Sequence, residues 1–251
     1  MLRLRLDKLV VERGLAETRQ KAQALILAGQ IHLNGQPATK AGTPVPPDAR
    51  LELVGQPPPY ASRGGRKLEG ALEDFGLDPA GKVCLDIGAS TGGFTDCLLQ
   101  RGAARVYAVD VGKGQLHWKL RQDPRVVVRE GINARTLKPE DLGEPADLVT
   151  IDVAFISVEK ILPAARACAR PGAVFLVLVK PQFELSRHQV GKGGIVRDPA
   201  LHQEAVEKVR RAAAALGFQQ LDARPSRLPG AEGNQEFFLR AVWSPRVESR
   251  P

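Results

Sequence analysis

The sequence predicts an α/β fold: a doubly wound, mostly parallel sheet with an antiparallel C-terminal edge, preceded by a small α+β unit. Three observations predict it. From Lys82 onward, short apolar runs alternate with helix-forming stretches. The first of these runs, VCLDIGASTGGFT from Val83 to Thr95, passes through an acid into a glycine-rich turn and then a helix start. Positive charge collects ahead of that run: residues 1–67 carry eleven bases against five acids, +6 of the net +8. That excess favours a polyanionic partner.

Residues 1–54 read as the small unit. A helix is expected from Arg3 through Val10, with leucines on one side and bases on the other. Thr18 can cap a second helix, Arg19 to Ala28, and Gly29 can end it. Asn34-Gly35 marks a hairpin after Ile31, and a strand over residues 50–54 closes the unit. Arg3, Arg5, Lys8, Arg13, Arg19 and Lys21 can share one exposed face. The order of these segments resembles the S-four (alpha-L) RNA-binding domain, and that likeness implies contact with structured RNA.

Residues 55–66 read as a linker between the units. GQPPP is stiffened by proline, and YASRGGRK adds Arg63, Arg66 and Lys67. The second unit is expected over 67–246. Its first helix should run from Lys67 to Phe75, after a turn at Gly64-Gly65. Strands are expected at 83–87, 105–110, 125–129, 147–152 and 173–180. A long loop, 181–199, a helix over 199–216 and an antiparallel pair at 219–225 and 235–243 complete it, with a frayed tail from Ser244.

The glycine turn is where the chemistry begins. Its spacing is not the G-x-G-x-x-G of dinucleotide-binding folds. An acid precedes the first glycine instead, a pattern that suits S-adenosylmethionine, which has no pyrophosphate to cradle. Asp86, Gly88, Ser90, Thr91, Gly92 and Phe94 are candidates for its methionine half. Asp110, closing the strand VYAVD, fits the ribose hydroxyls. Asn133 fits the adenine edge, where a plain turn residue is the competing reading, and Val111 and Gln115 can border the ring. Four charged residues stand at element ends: Lys67, Asp152, Lys180 and Glu236. Lys180 and Asp152 each terminate an apolar run on the ligand-binding edge.

Composition excludes some classes. Hydrophobic residues make up 43% of the 251 and charged residues 25%, as in an ordinary globular chain. No apolar run reaches the roughly 18 residues of a membrane helix, and no secretory h-region opens the sequence, so a cytoplasmic protein is expected. Cys84, Cys97 and Cys168 have no metal or disulfide spacing and read as buried thiols. His117 and His188 lack ligand spacing, and Trp118 and Trp243 read as packing residues.

Taken together, DIGASTGGFT, TIDVAFIS, VKPQFE, GNQEFFL and YASRGGRKLEGAL resemble the TlyA group of rRNA 2′-O-methyltransferases, some of whose relatives carry the name haemolysin. The resemblance spans nearly the whole chain. It implies an S-four domain joined to an FtsJ/RrmJ-like, Rossmann-like methyltransferase that uses S-adenosylmethionine. It also implies cytidine in small- or large-subunit rRNA as substrate and a Lys-Asp-Lys-Glu catalytic tetrad, here Lys67, Asp152, Lys180 and Glu236. RNA contact is expected from Arg3, Arg5, Lys8, Arg19, Lys21, Arg63 and Arg66. The chemistry asks for no metal, and a monomer is expected. In this scheme a lysine made less basic by desolvation or a neighbouring cation takes or steers the hydroxyl proton, the role given to Lys180. Asp152 and Glu236 orient it, and Lys67 meets the target phosphate or supplies the neighbouring charge. Three other readings stand beside this one. A ribosome-assembly factor without activity would work unchanged as Lys180→Ala. A cytolysin would make liposomes leak. An NAD enzyme would be stabilised by NAD and not by S-adenosylmethionine.

Overall fold

The computed structural model describes residues 3–55, 59–230 and 232–244. Gln56 to Pro58, within the expected linker, and the tail from residue 245 lie outside them. The chain divides into two compact units, Met1–Pro57 and Pro58–Pro251.

In the first unit, β1 (Leu4–Arg5) leads into α1 (Leu6–Glu12) and α2 (Arg19–Leu27). Then come β2 (Ile31–Leu33), β3 (Gln36–Pro37), β4 (Pro44–Val45) and β5 (Leu51–Leu53). The first helix therefore starts three residues later than the leucine pattern suggests. Leu4 and Arg5 are claimed by β4, opposite Val45 and Pro44. Thr18 caps α2 by accepting from the Lys21 N–H at 3.2 Å. Leu6, Leu9, Val10, Ala22, Leu25, Ile26 and Ile31 form the core. Asp7 sits among them, fully buried. It accepts from Arg5 at 2.9 Å, Arg19 at 3.0 Å and Gln23 at 2.8 Å. Those donors, Arg5 first, hold its carboxyl well below the ordinary carboxylate range.

The second unit opens with α3 (Gly64–Asp74). Here Gly64-Gly65 is the first turn of the helix and not a bend before it. Gly65 is glycine because the Tyr60 ring lies on it; a Cβ would stand 2.3 Å from that ring. Next come β6 (Val83–Ile87), α4 (Gly93–Gln100), β7 (Arg105–Asp110), α5 (Trp118–Gln122), β8 (Val126–Glu130), β9 (Ala146–Ile151) and α6 (Leu162–Ala167). The chain ends with β10 (Ala169–Val179), α7 (Pro181–Glu184), α8 (Pro199–Ala215), β11 (Phe218–Pro225) and β12 (Phe237–Trp243). The seven strands lie in the order β11-β12-β10-β9-β6-β7-β8. All neighbours are parallel except β12, which is antiparallel to both β10 and β11. The order reverses at β6, between β7 and β9, and that reversal opens the crevice of such sheets.

Alternation along each strand divides the core. Leu85, Ile87, Val149, Ile151, Phe175 and Val177 face one way with Val209 and Ala213 of α8. Cys84, Leu148, Leu176, Leu178 and Phe238 face the other way with Leu68 and Leu72 of α3 and Leu98 of α4. Positions 152, 180 and 236 continue the second set, so the strand period directs them toward α3. Cys84, Cys97 and Cys168 are buried free thiols.

Candidate active site

The turn after β6 is shaped by one close approach. Gly88 has φ +87° and abuts Asp152: a Cβ there would fall 2.0 Å from the Asp152 carbonyl oxygen. The Asp152 N–H donates to the Ile87 carbonyl at 2.9 Å. The glycine turn and the rim of β9 are thereby joined backbone to backbone. Beneath them Asp86 is fully buried, accepting from the hydroxyls of Thr95 at 2.7 Å and Thr150 at 3.0 Å. Burial pushes its carboxyl up to about 7, outweighing those donors. Asp86 therefore supports the turn from below; with no exposure, it does not face a ligand as expected. Gly92 is likewise internal, where a Cβ would meet Leu116 and Leu120.

Above the turn lies an open hollow of about 590 Å³ including its mouth, within the range of small-molecule sites. Gly88, Ser90, Thr91 and Phe94 line it, with Lys67 and Asp152. Ser62, Arg63 and Pro229 also line it. Ser62 and Pro229 went unnoticed in sequence because neither residue type signals a site. On the flank, Asp110 accepts from the Ser90 N–H at 2.8 Å and the Gly112 N–H at 2.7 Å. A carboxylate has about four lone-pair positions, so capacity remains for ligand hydroxyls. Glu130, at the end of β8, was also missed. It accepts from the N–H groups of Gly114 at 2.8 Å and Gln115 at 3.1 Å and pairs with Arg121, so it shapes the loop beyond Asp110. Val111 is 71% exposed on that loop, and Gln115 lies 3.4 Å from the Ser90 hydroxyl. Asn133 is exposed, and its side-chain oxygen accepts from the Arg135 N–H at 3.1 Å. That is the local turn role that competed with adenine contact.

The four charged residues form two pairs. Lys67 Nζ lies 2.5 Å from Glu236 Oε2, with side chains 11% and 3% exposed. Lys180 Nζ lies 2.5 Å from Asp152 Oδ1. Lys67 and Asp152 line the same hollow, so both pairs border it. The last step of the β10–β12 ladder, Val179 opposite Phe237, leads directly to Lys180 and Glu236. Asn234 holds the preceding turn: it is buried, accepts from the Val196 N–H at 2.9 Å and donates to the Gly194 carbonyl at 2.8 Å. Burying a pair such as Lys67–Glu236 contributes little net stability, so stability alone does not account for it.

One aromatic stands out beside these pairs. Phe155, three residues past Asp152, is 90% exposed and has φ +64°. Its ring lies 5.1 Å from that of Phe183, three residues past Lys180. A bulky residue held in this backbone region beside an active site points to function. Sequence alone showed only an apolar residue in a loop. Trp118, expected to pack, is 46% exposed and stacks on His117; Trp243 is partly buried against the larger core. Among the described residues, no cluster of three or more His, Cys, Asp or Glu side chains could hold a metal ion, and no helix is long and apolar enough to cross a membrane.

Comparison with known proteins agrees with this geometry. The FtsJ-like methyltransferase family matches residues 60–242, and the S4 domain matches 4–51. The chain belongs to the TlyA group of FtsJ-like methyltransferases. It is 51% identical to the 16S/23S rRNA (cytidine-2′-O)-methyltransferase TlyA of Mycobacterium tuberculosis strain H37Rv, over 94% of this chain and 89% of that one. It is 43% identical to Hemolysin A of Brachyspira hyodysenteriae, over 95% and 100%. A solved structure named as a hemolysin from Streptococcus thermophilus superposes with a TM-score of 0.76 at 42% identity, covering 97% of this chain and 90% of that one. The FtsJ-like match thus covers the unit that holds both ion pairs, and the S4 match covers the unit built around Asp7.

Proposed function

We propose that this TlyA-group chain transfers the methyl group of S-adenosylmethionine to the 2′-hydroxyl of a cytidine ribose in ribosomal RNA of the small subunit, the large subunit or both. The observation that carries the reading is the pair of lysine–carboxylate contacts, Lys67–Glu236 and Lys180–Asp152, bordering a hollow floored by a glycine turn. Gly88, Ser90, Thr91 and Phe94 along the hollow support the cofactor's methionine half lying there, and Asp110, bonded to the Ser90 N–H on its flank, supports the ribose. When bound, the cofactor supplies a methyl group on a positively charged sulfur.

The acceptor is what needs help, because a ribose hydroxyl is a poor nucleophile at neutral pH. Lys180 Nζ, fixed by Asp152, receives the hydroxyl proton as the oxygen–carbon bond forms and the carbon–sulfur bond breaks. The 2.5 Å contact with Asp152 fixes where Nζ meets the hydroxyl. Lys67, held by Glu236, supplies positive charge for the phosphate beside the target sugar. Phe155 offers a stacking face for the target base. Arg3, Arg5, Lys8, Arg19 and Lys21 of the first unit, and Arg63 and Arg66 of the second, grip the RNA backbone. A ribosomal substrate supports action in the cytoplasm.

Ribosomal subunits incubated with methyl-labelled S-adenosylmethionine test the reading. Label should appear on a ribose, and label on a base would overturn it. Lys180→Ala should lose about 10²–10⁴ in transfer rate, the usual worth of a proton acceptor, while still binding the cofactor. An unchanged rate in that variant would favour a non-catalytic RNA-binding role.

A further inference from the structure

The loops that follow β9 and β10 are cross-linked at three levels. At the rim stands Lys180–Asp152. Three residues along each loop, Phe155 meets Phe183. Farther out, Glu184 at the end of α7 reaches across to the turn after Phe155. Its Oε2 accepts from the Ser157 hydroxyl at 2.6 Å, and its Oε1 accepts from the Val158 N–H at 2.8 Å. Glu184 is 4% exposed. Lys208 of α8 closes behind it: Nζ donates to the Glu184 carbonyl at 2.6 Å and lies 3.7 Å from Oε2. The same ammonium is 3.3 Å from Glu159 Oε2.

Burying a carboxylate is expensive unless it is hydrogen-bonded and charge-paired. Glu184 meets both conditions, and all its partners lie on the Asp152 loop or on α8. The helix that carries it is one turn of four residues, too short to hold its own shape. What Glu184 fixes is the spacing between the chain leaving Asp152 and the chain leaving Lys180.

We propose that Glu184 is a positioning residue: by gripping Ser157 and Val158 it sets the two loops so that Lys180 Nζ and the Phe155 ring address the same nucleotide. The inference rests on the ribose-methylation reading above. Without the Glu184 carboxylate the loops keep a ring contact, a partly exposed ion pair and the indirect bridge through Lys208, which restrain geometry weakly. Misplacement of the acceptor group by about an ångström costs up to about 10²-fold in rate.

The test measures methyl transfer to ribosomal subunits at saturating RNA and cofactor, cofactor affinity, and the thermal midpoint. The proteins are wild type, Glu184→Ala, Glu184→Gln and Ser157→Ala. In Glu184→Ala, kcat per folded molecule should fall about 10- to 100-fold while cofactor affinity stays within about two-fold, because the glycine turn is untouched. Glu184→Gln should recover most of the loss, since an amide oxygen still accepts from Val158. Ser157→Ala should lose kcat by several-fold with a small change in midpoint. If Glu184→Ala does not fold, the last two variants decide. Unchanged kcat in all folded variants overturns the positioning role, as do parallel losses of kcat and cofactor affinity. Wild-type protein that labels no ribose overturns the site's reading itself, a distinct result.

Discussion

Burial pushes the Asp86 carboxyl up to about 7, against about 3.9 in an unfolded chain. Between those values the folded chain keeps a proton that the unfolded chain has released. The stability this group contributes is therefore complete below about pH 4 and is lost as pH rises through about 7, on the order of 4 kcal/mol in all. Urea unfolding followed by tryptophan fluorescence checks this, because Trp118 and Trp243 both belong to the second unit. Wild type should lose stability across that interval more steeply than Asp86→Asn; equal slopes would refute the assignment. Glu184 is also pushed up by burial, which is why the comparison between the two proteins, and not the wild-type slope, isolates Asp86. At this scale, sequence is a poor guide to environment. Asp86 was legible as an acid near a turn, but its depth depends on Thr95 and Thr150, the second from another strand.

Among the elements, the turn after β6 is the least replaceable. Gly88→Ala adds a side chain at positive φ and drives it into the Asp152 carbonyl. A loss above about 4 kcal/mol is expected, enough to unfold many domains. Gly76 also has positive φ, +61°, but open space around its absent Cβ. Gly76→Ala should cost only about 1–2 kcal/mol, the strain of the backbone alone. Thermal midpoints of the two variants separate close approach from conformation. Sequence made the strands and their terminal charges visible, since VFLVLVK and ADLVTID each end an apolar run in a charge. Even the shared face of Asp152, Lys180 and Glu236 follows from a period of two. Glu236, expected to orient Lys180 together with Asp152, meets Lys67 instead, because the pairing depends on strand order, with β12 set between β10 and β11. Short elements also escaped. Leu4–Arg5 pairs with two residues some forty positions later, and α7 turns a presumed open loop into a scaffold for Glu184.

For the whole molecule, RNA affinity is expected to be carried largely by charge. In the first unit Arg5 and Arg19 are each about half exposed, while Asp7 holds Arg5 through Nε and Nη2 and Arg19 through Nε. The guanidiniums are thus presented outward with little freedom left to lose on binding. Replacing both by alanine, together with Asp7→Asn so that no buried carboxylate is left unpaired, should flatten the dependence of log K on log salt by about 1.5–2, the release of two phosphate contacts. Titration of an rRNA fragment at several salt concentrations reads that slope; an unchanged slope would mean these arginines do not touch phosphate. The second unit carries a constraint of another kind. The Lys67–Glu236 contact joins residues 169 positions apart, one in the unit's first helix and one beside its final strand. During synthesis the ribosome releases Lys67 long before Glu236. Under the proposed roles, a nascent chain is expected to lack methyl transfer until its last strand has emerged and docked.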